Sequence, residues 1–303
     1  MHDTLIPDKA LLQSIRLVAL DLDGTVFTND KRVTPRTKAA IEAAAAAGIN
    51  VVFVTGRPLS GIPGAVRSLK GARYFITSNG AVITALNTDG AASSKQELNG
   101  AVISDHTEKP LYSELLSPDD AEGITRIALE RGLLYSVYIG GMGYCEQNCF
   151  EGRLRPYEGT PIGEYIHHSV SVVDDIVRFV RESEGAENVW IQENDTPARD
   201  ALNSYINSTW QVSTVLTSPT DVEVSSALAG KGRALARLAQ KLGIEKRSIL
   251  AMGDNFNDLE MFEAAGVSAA MGNASEAVKR LASFTAPSNE EDGVARVLEL
   301  VCS

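Results

Sequence analysis

The feature that most constrains this chain is a wholly apolar run, Leu17-Val18-Ala19-Leu20, that stops abruptly on Asp21-Leu22-Asp23-Gly24-Thr25. The run predicts a buried strand. Strand side chains alternate with period two, so Asp21 and Asp23 at its tip are expected on one side. Like charges that close repel unless a cation or a shared proton relieves them. A divalent metal with oxygen ligands would do so, as carboxylates commonly surround Mg²⁺. A nucleophile, an acid/base and a metal ligand set would then lie within five residues. The same pentapeptide also reads as a strand followed by an ordinary Asp-Gly turn, so the rest of the chain must decide.

The remainder of the first 80 residues alternates strand and helix. Thr34-Pro35 opens an alanine-rich helix as N-cap and first residue, and Gly48 closes it. Asn50–Val54 and Tyr74–Thr77 are further strands. The pattern returns near the C-terminus, with helices at Lys231–Leu242 and Asp258–Ala264, strands at Ser248–Met252 and Val267–Met271, and a last helix carrying Val294, Val297, Leu298 and Val301. Short strands separated by helices predict an α/β fold, a Rossmann-like parallel sheet with right-handed crossovers. Between them the chain changes character. Leu133–Ile139, Asn188–Gln192 and Gln211–Val215 are more polar strands, Pro118–Arg131 and Val172–Ser183 are charged helices, and Gly152–Gly163 reads as an irregular loop. Residues 1–86 and 217–303 are therefore expected to form one core domain, with 87–216 inserted as an α+β module.

A length of 303 residues suits two domains. No apolar run approaches the roughly 18 residues of a membrane span, and Met1–Arg16 lacks the apolar core of a signal peptide. Together these predict a cytoplasmic protein. Cys145, Cys149 and Cys302 are too few for a disulfide framework, and no histidine or second pair completes a zinc site. A net charge of −11 argues against a nucleic-acid partner, although a local metal and lysine can still favour an anionic substrate.

Open α/β sheets bind ligands at the carboxyl ends of their strands. Four polar clusters fall there: Asp21 and Asp23; Thr55, Gly56 and Arg57; Lys231; and Gly253-Asp254-Asn255-Phe256-Asn257-Asp258. One reaction suits them. A carboxylate attacks phosphorus to form an aspartyl-phosphate, an ammonium, a hydroxyl and a metal compensate the phosphoryl charge, and a second carboxylate shuttles the proton.

The motifs Asp21–Thr25, Val54–Arg57, Ser78–Ala81, Lys231-Gly232 and Gly253–Asp258, with Ala270–Ala274, Val278–Ala282 and Ser288–Ala295 beyond them, resemble the haloacid dehalogenase (HAD) superfamily, specifically its Cof-type (IIB) phosphatases. The resemblance covers nearly the whole chain beyond the first 15 or so residues, although the middle matches in position and size more than in motif. It implies a HAD core with an inserted type C2B cap that closes over the site, and hydrolysis of small phosphate monoesters such as sugar phosphates. Asp21 becomes the nucleophile and a Mg²⁺ ligand, and Asp23 the general acid/base with its backbone carbonyl on the metal. Asp254 is the third protein ligand. Thr55, Lys231 and Asn257 hold the phosphoryl group, and Asp258 sits behind to orient Lys231 or a metal-bound water. Gly24 and Gly253 permit close backbone approach.

The partner implied is a small phosphorylated metabolite, with no nucleic acid and no membrane, acting on a monomer or homodimer. A phosphomutase on the same core and a non-catalytic phosphometabolite-binding protein remain as alternatives. Arg57 is expected in a structural ion pair, Asn79 in an Asn-Gly turn, and His167-His168 exposed. Arg153, Arg155 and Tyr157 are expected in a solvated cap loop, with substrate contact the alternative.

Overall fold

Leu17–Asp21 is buried at every position, and its alternate residues serve two cores. Val18 and Leu20 pack with Val51, Phe53 and Met252 on one face, whereas Leu17 and Ala19 pack with Val52, Val54 and Ala251 on the other. A strand buried on both sides has to be apolar throughout, which explains its unbroken run. Each valine, leucine, phenylalanine or methionine side chain among them, taken from water, contributes roughly 1.5–3 kcal/mol. The computed structural model describes residues 8–86, 110–216 and 218–303, with the backbone of two paired strands at Lys95–Leu98 and Ala101–Ser104.

Among the described residues the first sheet has eight strands, in the order Phe284–Thr285, Val267–Ala270, Ile249–Gly253, Leu17–Asp21, Asn50–Val54, Tyr74–Thr77, Val82–Ala85, Tyr112–Ser113. The first six run parallel, and the last two extend the sheet antiparallel. Helices Pro35–Ala46 and Gly293–Val301 cover one face through Ile41, Ala44, Val297 and Leu298. Helices Lys231–Leu242 and Leu259–Ala264 cover the other through Leu235, Leu238, Met261 and Phe262. The expected helix signals are present: the Thr34 hydroxyl accepts the Thr37 N–H, Pro35 is the first helical residue, and Gly243 ends its helix in the left-handed conformation (φ 68°).

The second sheet has six strands, in the order Val170–Val172, Met142–Cys145, Leu134–Ile139, Asn188–Gln192, Asp221–Ser226, Val212–Val215. Its pattern has period two. Tyr135, Val137, Val189, Ile191, Val222 and Val224 pack beneath helices Pro118–Glu130 and Thr196–Thr209. Ser136, Trp190 and Glu223 are cross-strand neighbours on the opposite face, which turns to the carboxyl edge of the first sheet.

The strands partition the chain differently from the expected 87–216 insertion. Tyr112–Ser113 pairs with Val82–Ile83 in the first sheet. Asp221–Ser226, expected in the core, instead forms a hairpin with Val212–Val215 inside the second sheet, because Val222 and Val224 complete that sheet's buried face. Position 87 lies outside the described residues. Two local expectations also fail. The segment expected as loop at 152–163 is largely helical, with Gln147–Leu154 running into it and Pro161–Ser169 beginning within it. The helix expected from Val172 begins at Ile176, N-capped by the Asp175 carboxylate, because Val170–Val172 is a strand.

Candidate active site

The Leu17–Asp21 strand delivers Asp21 to the sheet edge, where it is 5% exposed. Its Oδ1 accepts the Lys231 Nζ–H at 2.8 Å, and the same ammonium donates to Asp258 Oδ1 at 2.7 Å. Positions 210 apart in sequence thus meet in one buried ion cluster. Asp258 also organises the loop after Ile249–Gly253, its Oδ2 accepting the backbone N–H groups of Asp254 and Asn255 at 2.9 and 3.0 Å. Two glycines make the packing possible. A Cβ at Gly24 (φ +85°) would strike the Asp254 carboxylate, and one at Gly253 would strike that of Asp258. Asn273 braces the same point, donating to Gly24 O at 2.9 Å and to Asp254 Oδ2 at 3.4 Å.

Carboxylate oxygens of Asp21, Asp254 and Asp258 lie within 4.8 Å of one another. Burial raises the pKa of Asp21 well above the carboxylate range, against the pull of Lys231. Burial, followed by the charge of Asp258, raises that of Asp254 to about 7. Lys231 keeps its proton firmly, because Asp21 and Asp258 outweigh its own burial. Three carboxylates against one ammonium leave two negative charges uncompensated when all are ionised, among oxygen donors only. That set fits a hard divalent cation such as Mg²⁺.

Asp23 behaves differently. Its carboxylate faces Arg57, which donates from Nε and Nη2 at 2.6 and 2.7 Å, and Lys31, which donates at 2.8 Å. Burial works to raise its pKa, but the Arg57 and Lys31 bonds and charges prevail and hold it at about 2. The two aspartates of the opening motif therefore do not share a cation through their side chains, as the strand alternation led us to expect. The strand ends at Asp21, and the turn carries Asp23 to a separate pair of cations. The ion pair expected of Arg57 is this one. Its guanidinium also lies 5.4 Å from the Phe27 ring and 4.8 Å from that of Tyr165, on helix Pro161–Ser169.

A cleft of about 600 Å³ opens above these groups, with Asp21, Asp23, Thr55, Asp254 and Asn257 on its floor. Thr55 follows Asn50–Val54 and is 1% exposed, its Oγ1 accepting the Arg57 N–H at 3.1 Å. The roof comes from the second sheet and its helices. Arg153, expected in a solvated loop, is a buried residue of helix Gln147–Leu154 that lines this roof. Tyr157 also lines it, whereas His167 and His168 are exposed as expected.

Polar contacts tie roof to floor. Ser78 Oγ donates to Glu187 at 2.6 Å, whose other oxygen accepts the Gly141 N–H within the roof at 2.6 Å, and Asn79 Nδ2 donates to Glu223. Asn79 is thus more than a turn: it is left-handed (φ 53°), buried, and spans the two sheets. The sequence reading assigns no role to Lys31, Glu187 or Asn273. Asn273 at least lies within a recognised motif, but no local pattern marks the other two.

A family model for haloacid dehalogenase-like hydrolases matches residues 18–97 and 86–298. The chain is 26% identical to a 5-amino-6-(5-phospho-D-ribitylamino)uracil phosphatase of Bacillus subtilis, YcsE, over 94% of each chain. It is 29% identical to a second Bacillus subtilis phosphatase of that description, YwtE, covering 95% of this chain and 99% of that one. A solved haloacid dehalogenase-like hydrolase from Bacillus subtilis superposes with a TM-score of 0.76 at 25% identity, covering 94% of this chain and 99% of the other. Fold and site thus define a hydrolase with its active edge beneath a second sheet. The chain belongs to the haloacid dehalogenase-like hydrolases, in their Cof-type branch.

Proposed function

We propose that this protein is a Mg²⁺-dependent phosphatase that hydrolyses small phosphate monoesters through an aspartyl-phosphate on Asp21. Its standing as a phosphoric monoester hydrolase rests on its family and on relatives that are phosphatases. The finer reading rests on one observation: Asp21, Lys231 and Asp254 meet at the foot of a cleft roomy enough for a small metabolite. Two relatives named for a phosphorylated ribitylaminouracil support the size class.

Asp21 attacks phosphorus, and the bond to the alcohol oxygen breaks with its electron pair leaving on that oxygen. Asp23 supplies the proton to the departing alcohol and then removes one from the water that cleaves the aspartyl-phosphate. Its pairing with Arg57 and Lys31 keeps Asp23 ionised, so proton donation requires that pairing to open. Thr55, Lys231 and Asn257 hold the phosphoryl oxygens through a hydroxyl, an ammonium and an amide. Asp258 holds Lys231 between itself and the nucleophile. Asp21, Asp254 and the backbone carbonyl of Asp23 would hold Mg²⁺, which when bound compensates the charge of the carboxylates and phosphoryl oxygens.

The test is hydrolysis of p-nitrophenyl phosphate by the purified protein. With Mg²⁺ it turns over, excess EDTA abolishes the activity, and Asp21→Asn lowers kcat by about a thousandfold or more, as removing a nucleophile does. Turnover that survives EDTA contradicts the metal assignment, and turnover that survives Asp21→Asn contradicts the nucleophile.

A further inference from the structure

Three cations line or underlie the cleft, Lys231 and Arg153 buried and Arg57 half-buried, and two are neutralised. Lys231 has Asp21 and Asp258, and Arg57 has Asp23. Arg153 is the exception. It is 8% exposed and makes no ion pair with any described carboxylate. Its guanidinium lies 4.1 Å from the Trp190 ring and donates only to neutral oxygens, Ser136 Oγ and Tyr138 Oη. A cation taken from water without a counter-ion is expensive, and hydroxyl oxygens with an aromatic face replace only part of what water gave.

The nearby acids do not supply what is missing. Glu223, opposite Trp190 on the next strand, accepts the Asn79 amide, and Asp221 accepts the Thr220 hydroxyl. The ammonium and guanidinium groups of the floor are likewise committed. The guanidinium of Arg153 is held by the second sheet in the roof of the cleft whose floor carries Asp21. A molecule with its phosphoryl group at Asp21 therefore extends its other end toward Arg153.

We propose that the leaving group carries an oxyanion of its own, a carboxylate or a second phosphate, and that Arg153, backed by Trp190, binds it. This rests on the phosphatase reading above and narrows its substrate class from phosphate monoesters in general to those with a second anionic end. Guanidinium suits the task because its planar fork matches carboxylate and phosphate oxygens.

Calorimetric titration of the full-length Asp21→Asn protein with Mg²⁺ tests this without requiring turnover. The ligands are a hexose monophosphate, the matching aldonate phosphate and the matching hexose bisphosphate. At least one charged ligand is expected to bind about tenfold or more tightly than the neutral hexose, the gain of a charge-assisted hydrogen bond. Which of them gains separates carboxylate from phosphate. Adding Arg153→Gln should bring all three within about twofold. Equal binding of the three by the protein that retains Arg153 overturns the proposal, as does a preference that persists in Arg153→Gln, or no binding at all. If Arg153→Gln does not fold, the ranking of ligands with Arg153 present decides alone. Failure of the unmodified protein to hydrolyse p-nitrophenyl phosphate is a different result, which removes the phosphatase reading itself.

Discussion

The two sheets that enclose the cleft meet it on opposite terms. The first buries both faces, so its strands present polar side chains to the cleft where they end, and Asp21, Thr55 and Asp254 all lie at or just beyond strand ends. The second buries one face and turns the other to the cleft, so its polar and aromatic groups sit at every second position along three strands. An end-on site is compact and compensated at close range by Lys231. A face-on site is spread out, and one of its members, Arg153, is left without a carboxylate. Under the proposed function, phosphoryl chemistry belongs to the floor and choice of leaving group to the roof.

The comparison breaks most readily at Lys231. Lys231→Met leaves Asp21 and Asp258 buried against each other without their cation, and should cost about 3–5 kcal/mol. Urea unfolding of the metal-free protein measures this; a change below about 1 kcal/mol would mean that the floor is not held by its ion cluster. The floor-to-roof tie is weaker. Ser78→Ala removes the hydroxyl that donates to buried Glu187, leaving that carboxylate with the Gly141 N–H, and should cost about 1–3 kcal/mol in the same assay.

The last contrast is electrostatic, read as a slope with pH, and it separates Asp254 from Asp23. With its pKa raised from 3.8 to about 7, folded Asp254 keeps a proton that the unfolded chain has released. Metal-free stability should therefore fall as pH rises from about 4 to about 7, and Asp254→Asn should flatten that slope. Asp23 has the opposite sign: held at about 2, it stabilises the fold above its ordinary range and loses that contribution only as pH falls toward 2. Its side chain is 37% exposed, so solvent screens the effect. Melting temperatures in EDTA across this range check both windows. A slope between pH 4 and 7 that is unchanged in Asp254→Asn would refute the assignment.

The same contrast explains what could be read from the sequence. Asp21, Thr55 and Asp254 lie at or just beyond the ends of apolar strands, and Lys231 opens an amphipathic helix, so all four were legible in contiguous motifs. Roof residues are separated by buried partners and gathered from distant strands, so neither Glu187 nor the Trp190–Arg153 stack leaves a local signature. The helix at Pro161–Ser169 was readable, since Thr160-Pro161 repeats the cap-and-proline signal of Thr34-Pro35. The glycines at 152, 159 and 163 masked it. Asp221–Ser226 fell to the core because the expected boundary was placed just before it, although its alternation matches the second sheet, where it forms a hairpin with Val212–Val215.

The most direct measurement of the central claim is acid quenching of the unmodified protein during turnover of p-nitrophenyl phosphate with Mg²⁺, followed by peptide mass spectrometry. The account predicts a single acid-stable phosphoryl adduct on the peptide bearing Asp21, absent from Asp21→Asn. An adduct on any other residue, or rapid turnover with every peptide unmodified, would contradict it.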